Sequence, residues 1–246
     1  FSRIKTSCIL KKDLVSTVKS RVKNLKTIGI NKDNITLNSY KKLKKEFKGP
    51  KFIDVSKILN NLRQVKTEEE IALVKKACLI TDSILQKTAK ELSNKKSELD
   101  IADFINEEIK KCKCNEAFPV IVASGKNSSS IHHLPSKSRL NGFTIIDLGV
   151  KCHDYCSDVS RTFYIGSPSK EEMENYCKIY TKITSFKSAD DIKTFKPLKS
   201  QCHALGHSLG IEVHEKPILT KTTSIQDNMI LAIAPALYNK NYGIRI

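Results

Sequence analysis

The chain has 246 residues, enough for one large core with a smaller flanking piece. Its 39% hydrophobic and 28% charged residues suit a soluble globular protein, and no apolar run approaches the roughly 18 to 20 residues that a membrane span needs. The net charge of +17 comes almost entirely from lysines spread along predicted helix surfaces, with no aromatic residues interleaved as a base-stacking platform, so it reads as a lysine-biased proteome and points away from a nucleic-acid partner.

The eight cysteines are scattered, and no two have the two-residue gap of a zinc knuckle. In a chain too large to need stapling they read as reduced thiols, which places the protein in the cytoplasm. The opening FSRIKTSCIL lacks a basic region followed by a long apolar stretch, so no signal peptide is expected. The absence of an initial Met suggests a processed or trimmed N-terminus.

Residues 1–60 mix helix-like and strand-like pieces. The spacing of Leu14, Val15, Val18, Val22 and Leu25 predicts a helix. KTIGI then reads as a strand, ITLNSYKKLKKEF as a turn and helix, and KFIDV as a second short strand. This is too little for an independent core, so residues 1–60 are expected to be a partial N-terminal α/β domain.

From residue 61 onward the elements are longer. LRQVKTEEEIALVKKACLITDSILQKTAKEL predicts an amphipathic helix opened by a capping box, with Thr67 facing Glu70. A second helix follows from about Leu99 to Lys111, capped by Ser97 or Asp100. The segments PVIVASG, TIIDLGV and RTFYIG read as strands, SKEEMENYCKIYTKI as a helix, and CHALGHSLGIEVHEKP and NMILAIAPALY as further strand and loop. Helices that precede and separate antiparallel strands make the fold class α+β.

Asp147 and Asp158 sit eleven residues apart, each at a strand-like run. All six histidines lie beyond residue 130, close to them in sequence. Two carboxylates on neighbouring strands, with imidazoles added, suit a divalent cation and metal-assisted amide hydrolysis. By spacing alone a hairpin with solvent-facing acids is the simpler reading. His203 and His207 have the i, i+4 spacing of a helical zinc pair, but Ala204 stands where that motif needs glutamate, and Gly206 and Gly210 argue for loop and strand instead. The two carboxylates are therefore expected on adjacent strands, close enough to share a cation. His132, His203, His207 and His214 are expected to converge beside them, without both His133 and His153.

Taken in order, IIDLG…YCSDVSRTF, HALGHSLGIEVHEKP, ILAIAPALY and GIRI resemble the signature blocks of the Xaa-Pro aminopeptidase and prolidase family. The resemblance covers residues 61–246 and implies a pita-bread fold, shared with methionine aminopeptidase and creatinase, with a truncated N-terminal remnant before it. It implies two divalent ions, manganese or cobalt, with Asp147 on the first, Asp158 bridging and His207 on the second. His132 and His214 would be the catalytic histidines, moving protons on the substrate side. His203 would bind substrate, as would Arg245, placed just behind the metal cluster. The implied substrate is a peptide with proline at its second position, and the implied assembly a homodimer.

The same resemblance marks two departures. The family reads Val-Glu-Pro or Ile-Glu-Pro where this chain has Ala234 before Pro235, and a further glutamate follows its Gly-Ile-Arg-Ile block, where this chain ends at Ile246. The domain is therefore expected to be C-terminally truncated, with two of five ligands absent and weak or partial ion occupancy. The alternative is a metal-free pseudo-peptidase that binds protein or nucleic acid.

Overall fold

A computed structural model describes residues 25–94, 97–186, 188–195, 200–201 and 203–246, together with residues 15 and 19. The helix expected from Leu14 to Leu25 therefore lies almost wholly outside the described residues. The chain divides into two compact units, residues 1–62 and 63–246.

In the first unit, β1 (Thr27–Ile30) and β2 (Lys51–Asp54) pair in parallel, joined by α1 (Leu37–Glu46). A parallel pair needs such a crossover, and Thr36 starts the helix by accepting the backbone N–H of Ser39 at 3.2 Å. Tyr40 on the helix meets Phe52 on β2 edge-to-face. Helix α2 (Ser56–Gln64) follows β2 in the chain.

The second unit opens with α3 (Glu68–Glu91) and α4 (Glu98–Lys111), each begun by a complete capping box. Thr67 pairs with Glu70, and Ser97 with Asp100. Thr67→Ala is expected to cost about 1 kcal/mol, read as a lower urea midpoint with an unchanged slope.

The strands that follow are β3 (Asn115–Glu116), β4 (Ile121–Ser124), β5 (Gly142–Leu148), β6 (Val150–Cys152), β7 (Tyr155–Cys156) and β8 (Val159–Ile165). β4, β5 and β8 form an antiparallel sheet with β5 central, and β3, β6 and β7 form a second. On β5, Ile146 and Leu148 face Ile84, Ile101 and Ile105 of the two long helices. The alternate residues, Phe143 and Ile145, face the other way, into separate clusters with Ile244 and Ala236. Side chains alternate along a strand, so Asp147 belongs to this second face. A strand covered on both sides reads as a largely apolar run, as FTIIDL does apart from Thr144 and Asp147.

Helix α5 (Lys170–Thr184) packs Ile179 beside Phe143 and Ile244, and the short α6 (Ala189–Thr194) follows. Then come β9 (Gly206–Ser208), β10 (Glu215–Ile218) and β11 (Leu231–Ile233), with β9 central, and the hairpin of β12 (Ala236–Tyr238) and β13 (Gly243–Arg245). A Cβ at Gly206 would lie 2.0 Å from the Ala232 carbonyl oxygen, so only glycine lets β9 approach β11 this closely. None of the described helices is long and apolar enough to cross a membrane.

Candidate active site

One cavity of about 440 Å³ takes side chains from β5, β9 and β13 and from the loops around them. Asp147, Asp158, His132, His203, His207, His214 and Arg245 all line it. His133 joins them at the wall, where its Nε2 lies 2.8 Å from Glu98 Oε2. His153 does not line it. With Asp154 it forms the left-handed tip of the β6–β7 hairpin, at φ of 50° and 68°.

Asp147 is buried, and both its oxygens are engaged. Ser160 Oγ donates to Oδ1 at 2.6 Å, and Arg245 Nη2 to Oδ2 at 2.7 Å. Ser160 is the cross-strand partner of Asp147 on β8, and Arg245 comes from β13 on the same sheet face. Burial raises the Asp147 pKa and the Asp158 charge adds to it, while Arg245 and Ser160 act against the rise. Arg245 is itself buried and fixed by Thr162, whose Oγ1 accepts from its backbone N–H and donates to its carbonyl.

Asp158 lies one residue before β8 rather than within it, since the ladder begins at Leu148 and Val159. Its Oδ2 stands 3.2 Å from His207 Nε2. His207 Nδ1 is 3.1 Å from the Ser208 carbonyl, which as acceptor holds the proton on Nδ1 and leaves Nε2 facing Asp158. Burial disfavours the charged imidazole, but Asp158 and the carbonyls of Ser208 and Val213 outweigh it and raise the His207 pKa. The His214 ring sits 4.3 Å from that of His207, centroid to centroid. Its pKa is lowered, first by burial and then by His207.

Ligating atoms of Asp158, His207 and His214 all lie within 4.8 Å of one another. Two imidazole nitrogens and one carboxylate oxygen suit a divalent first-row ion. His203 turns its Nδ1 to the Ala204 carbonyl at 2.7 Å, and its buried Nε2 has no hydrogen-bond partner among the described residues. Burial lowers its pKa. Phe118, Ile131, Leu134, Val213 and Ile218 supply an apolar wall, which no sequence motif had singled out. Ser160 could have been suspected from its position two residues beyond Asp158. His214, expected on the substrate side, stands beside His207 and Asp158.

Residues 72–185 and 177–246 match metallopeptidase family M24, and residues 3–65 match the creatinase/prolidase N-terminal domain. An uncharacterised peptidase of Staphylococcus epidermidis is 31% identical over 238 residues, which cover 88% of this chain and 68% of that protein. The Xaa-Pro dipeptidase of Pyrococcus furiosus is 29% identical over 246 residues, covering 92% of this chain and 70% of that protein. Among solved structures, the prolidase from Pyrococcus furiosus superposes at a TM-score of 0.84 with 27% identity, covering 96% of this chain and 75% of the other. The Xaa-Pro dipeptidase from Bacillus anthracis gives 0.85 with 27% identity, covering 96% and 73%. Because the two matched segments together take in the strands and loops that carry Asp147, Asp158, His207 and Arg245, and the pita-bread fold goes with them, the chain belongs to metallopeptidase family M24.

Proposed function

We propose that the chain hydrolyses the bond before proline in peptides with proline at the second position, using divalent ions held by Asp147, Asp158 and His207, at a turnover limited by Ala234. The supporting observation is the approach of Asp158, His207 and His214 to within 4.8 Å inside a cavity that also takes Asp147 and three more histidines. A bound manganese or cobalt ion would supply a polarised carbonyl and an acidified water.

The chain's own groups do the rest. Ser208 orients His207 so that Nε2 is its ligating atom. Arg245 and Ser160 hold Asp147 in one rotamer and offset its charge. His132 and His214 transfer protons at the scissile bond, and His203 offers Nε2 to the substrate. The apolar wall suits a proline ring and keeps bulk water out. Arg245 reaches the substrate only through Asp147, because its guanidinium is buried against that carboxylate.

A second reading has one observation behind it. Ala234 lines the cavity where the resembled family carries a ligating glutamate, which favours a pseudo-peptidase that binds protein or nucleic acid. The assay is release of the first residue from Xaa-Pro dipeptides and longer peptides, with manganese, with cobalt and with chelator. Slow, ion-dependent release that disappears in Asp158→Asn is expected. Absence of both cleavage and ion binding would leave the binding module as the better reading. Cytoplasmic location and a homodimer belong to the proposal as well, the latter checked by light scattering.

A further inference from the structure

We infer that Lys66 and Glu215 form a positioning pair that sets how His207 and His214 face each other, an inference that rests on reading His207 as an ion ligand with His214 as the proton-transfer group beside it. Neighbouring residues on a strand point to opposite sides. His207 and His214 line the cavity, and the residue after each, Ser208 and Glu215, lies buried behind it. Ser208 and Glu215 are also cross-strand partners, at the point where β10 has an irregular register.

One ammonium ties them together. Lys66 is only 3% exposed, and its three protons have three acceptors: Ser208 Oγ at 3.0 Å, Glu215 Oε2 at 3.3 Å and the Gln64 carbonyl at 3.3 Å. Glu215 Oε1 takes the Arg63 guanidinium and the backbone N–H of Glu212, closing the 209–214 turn that delivers His214. The same turn accepts the Cys156 backbone N–H at the Gly210 carbonyl, 2.7 Å away and two residues before Asp158. Every segment that brings a ligating atom to the cluster is thus anchored to this network or adjoins it.

A buried ion pair is by itself poor evidence for stability, because desolvation offsets most of its attraction. What separates a positioning role from a merely structural one here is a readout at the imidazoles. Lys66→Met keeps an unbranched apolar stem out to the ε position and removes the ammonium. Lys87→Met, which breaks the Lys87–Glu108 pair on the long helices, serves as control.

In metal-free protein, nuclear Overhauser contacts between the His207 and His214 ring protons are expected in the native chain and in Lys87→Met, and are expected to be lost in Lys66→Met. Cobalt titration should show weaker binding in Lys66→Met by about 10- to 100-fold, the usual effect of removing a group that orients ligands, with a changed visible spectrum. If Lys66→Met does not fold, Ser208→Ala removes one acceptor of the ammonium, and the same two measurements should move in the same direction. Unchanged ring contacts and cobalt affinity within about twofold of native would overturn the inference, as would absence of the contacts in the native chain. A native chain that shows the contacts and their loss in Lys66→Met, but binds no cobalt, would support the pairing and overturn the ion reading.

Discussion

Replacing Ala234 by glutamate is expected to raise manganese-dependent cleavage of a Xaa-Pro peptide by about 10²- to 10⁴-fold, the range contributed by a positioned general base. The backbone there is already in place. Ala234 donates its N–H to the Leu205 carbonyl at 2.8 Å, extending the β11–β9 pairing in which Ala232 faces His207. Two residues along a strand restore the same face, so a side chain at 234 shares the side of His207, and Ala234 lines the cavity. A glutamate would add a third carboxylate near Asp147 and Asp158. Like charges raise one another's pKa values, so the metal-free variant should melt below the native chain and recover with manganese more than the native chain does. Cleavage and melting are measured together. A change in rate below about twofold, with no manganese effect on melting, would show that Ala234 is not what limits turnover.

Local chemistry made much of the fold legible. Thr67 with Glu70 announces its helix within four residues of sequence and Ser97 or Asp100 marks the start of the next, where the structure joins the two in a second box. The run around Asp147 likewise reads as a strand, though its cover on both faces emerges only in the structure. The crowding of histidines beyond residue 130 pointed to one shared site, and the glycines at 206 and 210 pointed to a loop-and-strand setting for His203 and His207. Harder to read was anything decided by a partner far along the chain. Arg245 reaches Asp147 across 98 residues, and Lys66 reaches Glu215 across 149. The placement of His214 depends on the irregular pairing of β9 with β10, which has no periodic signature. Asp158 falls just outside its strand because the β7–β8 connection sets where the ladder starts.

Glu98 shows the same non-local logic, and its replacement by glutamine is expected to cost about 3 kcal/mol of stability at neutral pH. The side chain is fully buried at the start of α4, with five donors around it. Oε1 accepts the Ser124 N–H at 2.8 Å and Asn127 Nδ2 at 3.0 Å. Oε2 takes the Ser136 N–H and hydroxyl at 3.1 and 2.7 Å, with His133 Nε2 at 2.8 Å. Burial on its own would raise the pKa of this carboxyl, but the hydrogen bonds prevail and hold it below the ordinary glutamate range. Glutamine offers one oxygen and one NH₂ group, so whichever way it turns, at least two buried donors meet another donor. The pH dependence follows from the lowered pKa. The stabilisation is fully present above the unfolded-state value near 4.5 and is lost as pH falls through the folded-state value, so the gap between native and variant should narrow in acid. Urea unfolding at neutral and acidic pH measures both. The donors belong to the segment from Ser124 to Ser136, which also carries His132 and Leu134 into the cavity. Its loosening should therefore raise KM for a Xaa-Pro peptide while leaving cobalt affinity near native, because Asp158, His207 and His214 are anchored elsewhere. A variant within about 1 kcal/mol of native at neutral pH would mean that the five donors find other acceptors, and that Glu98 does not hold this wall of the site.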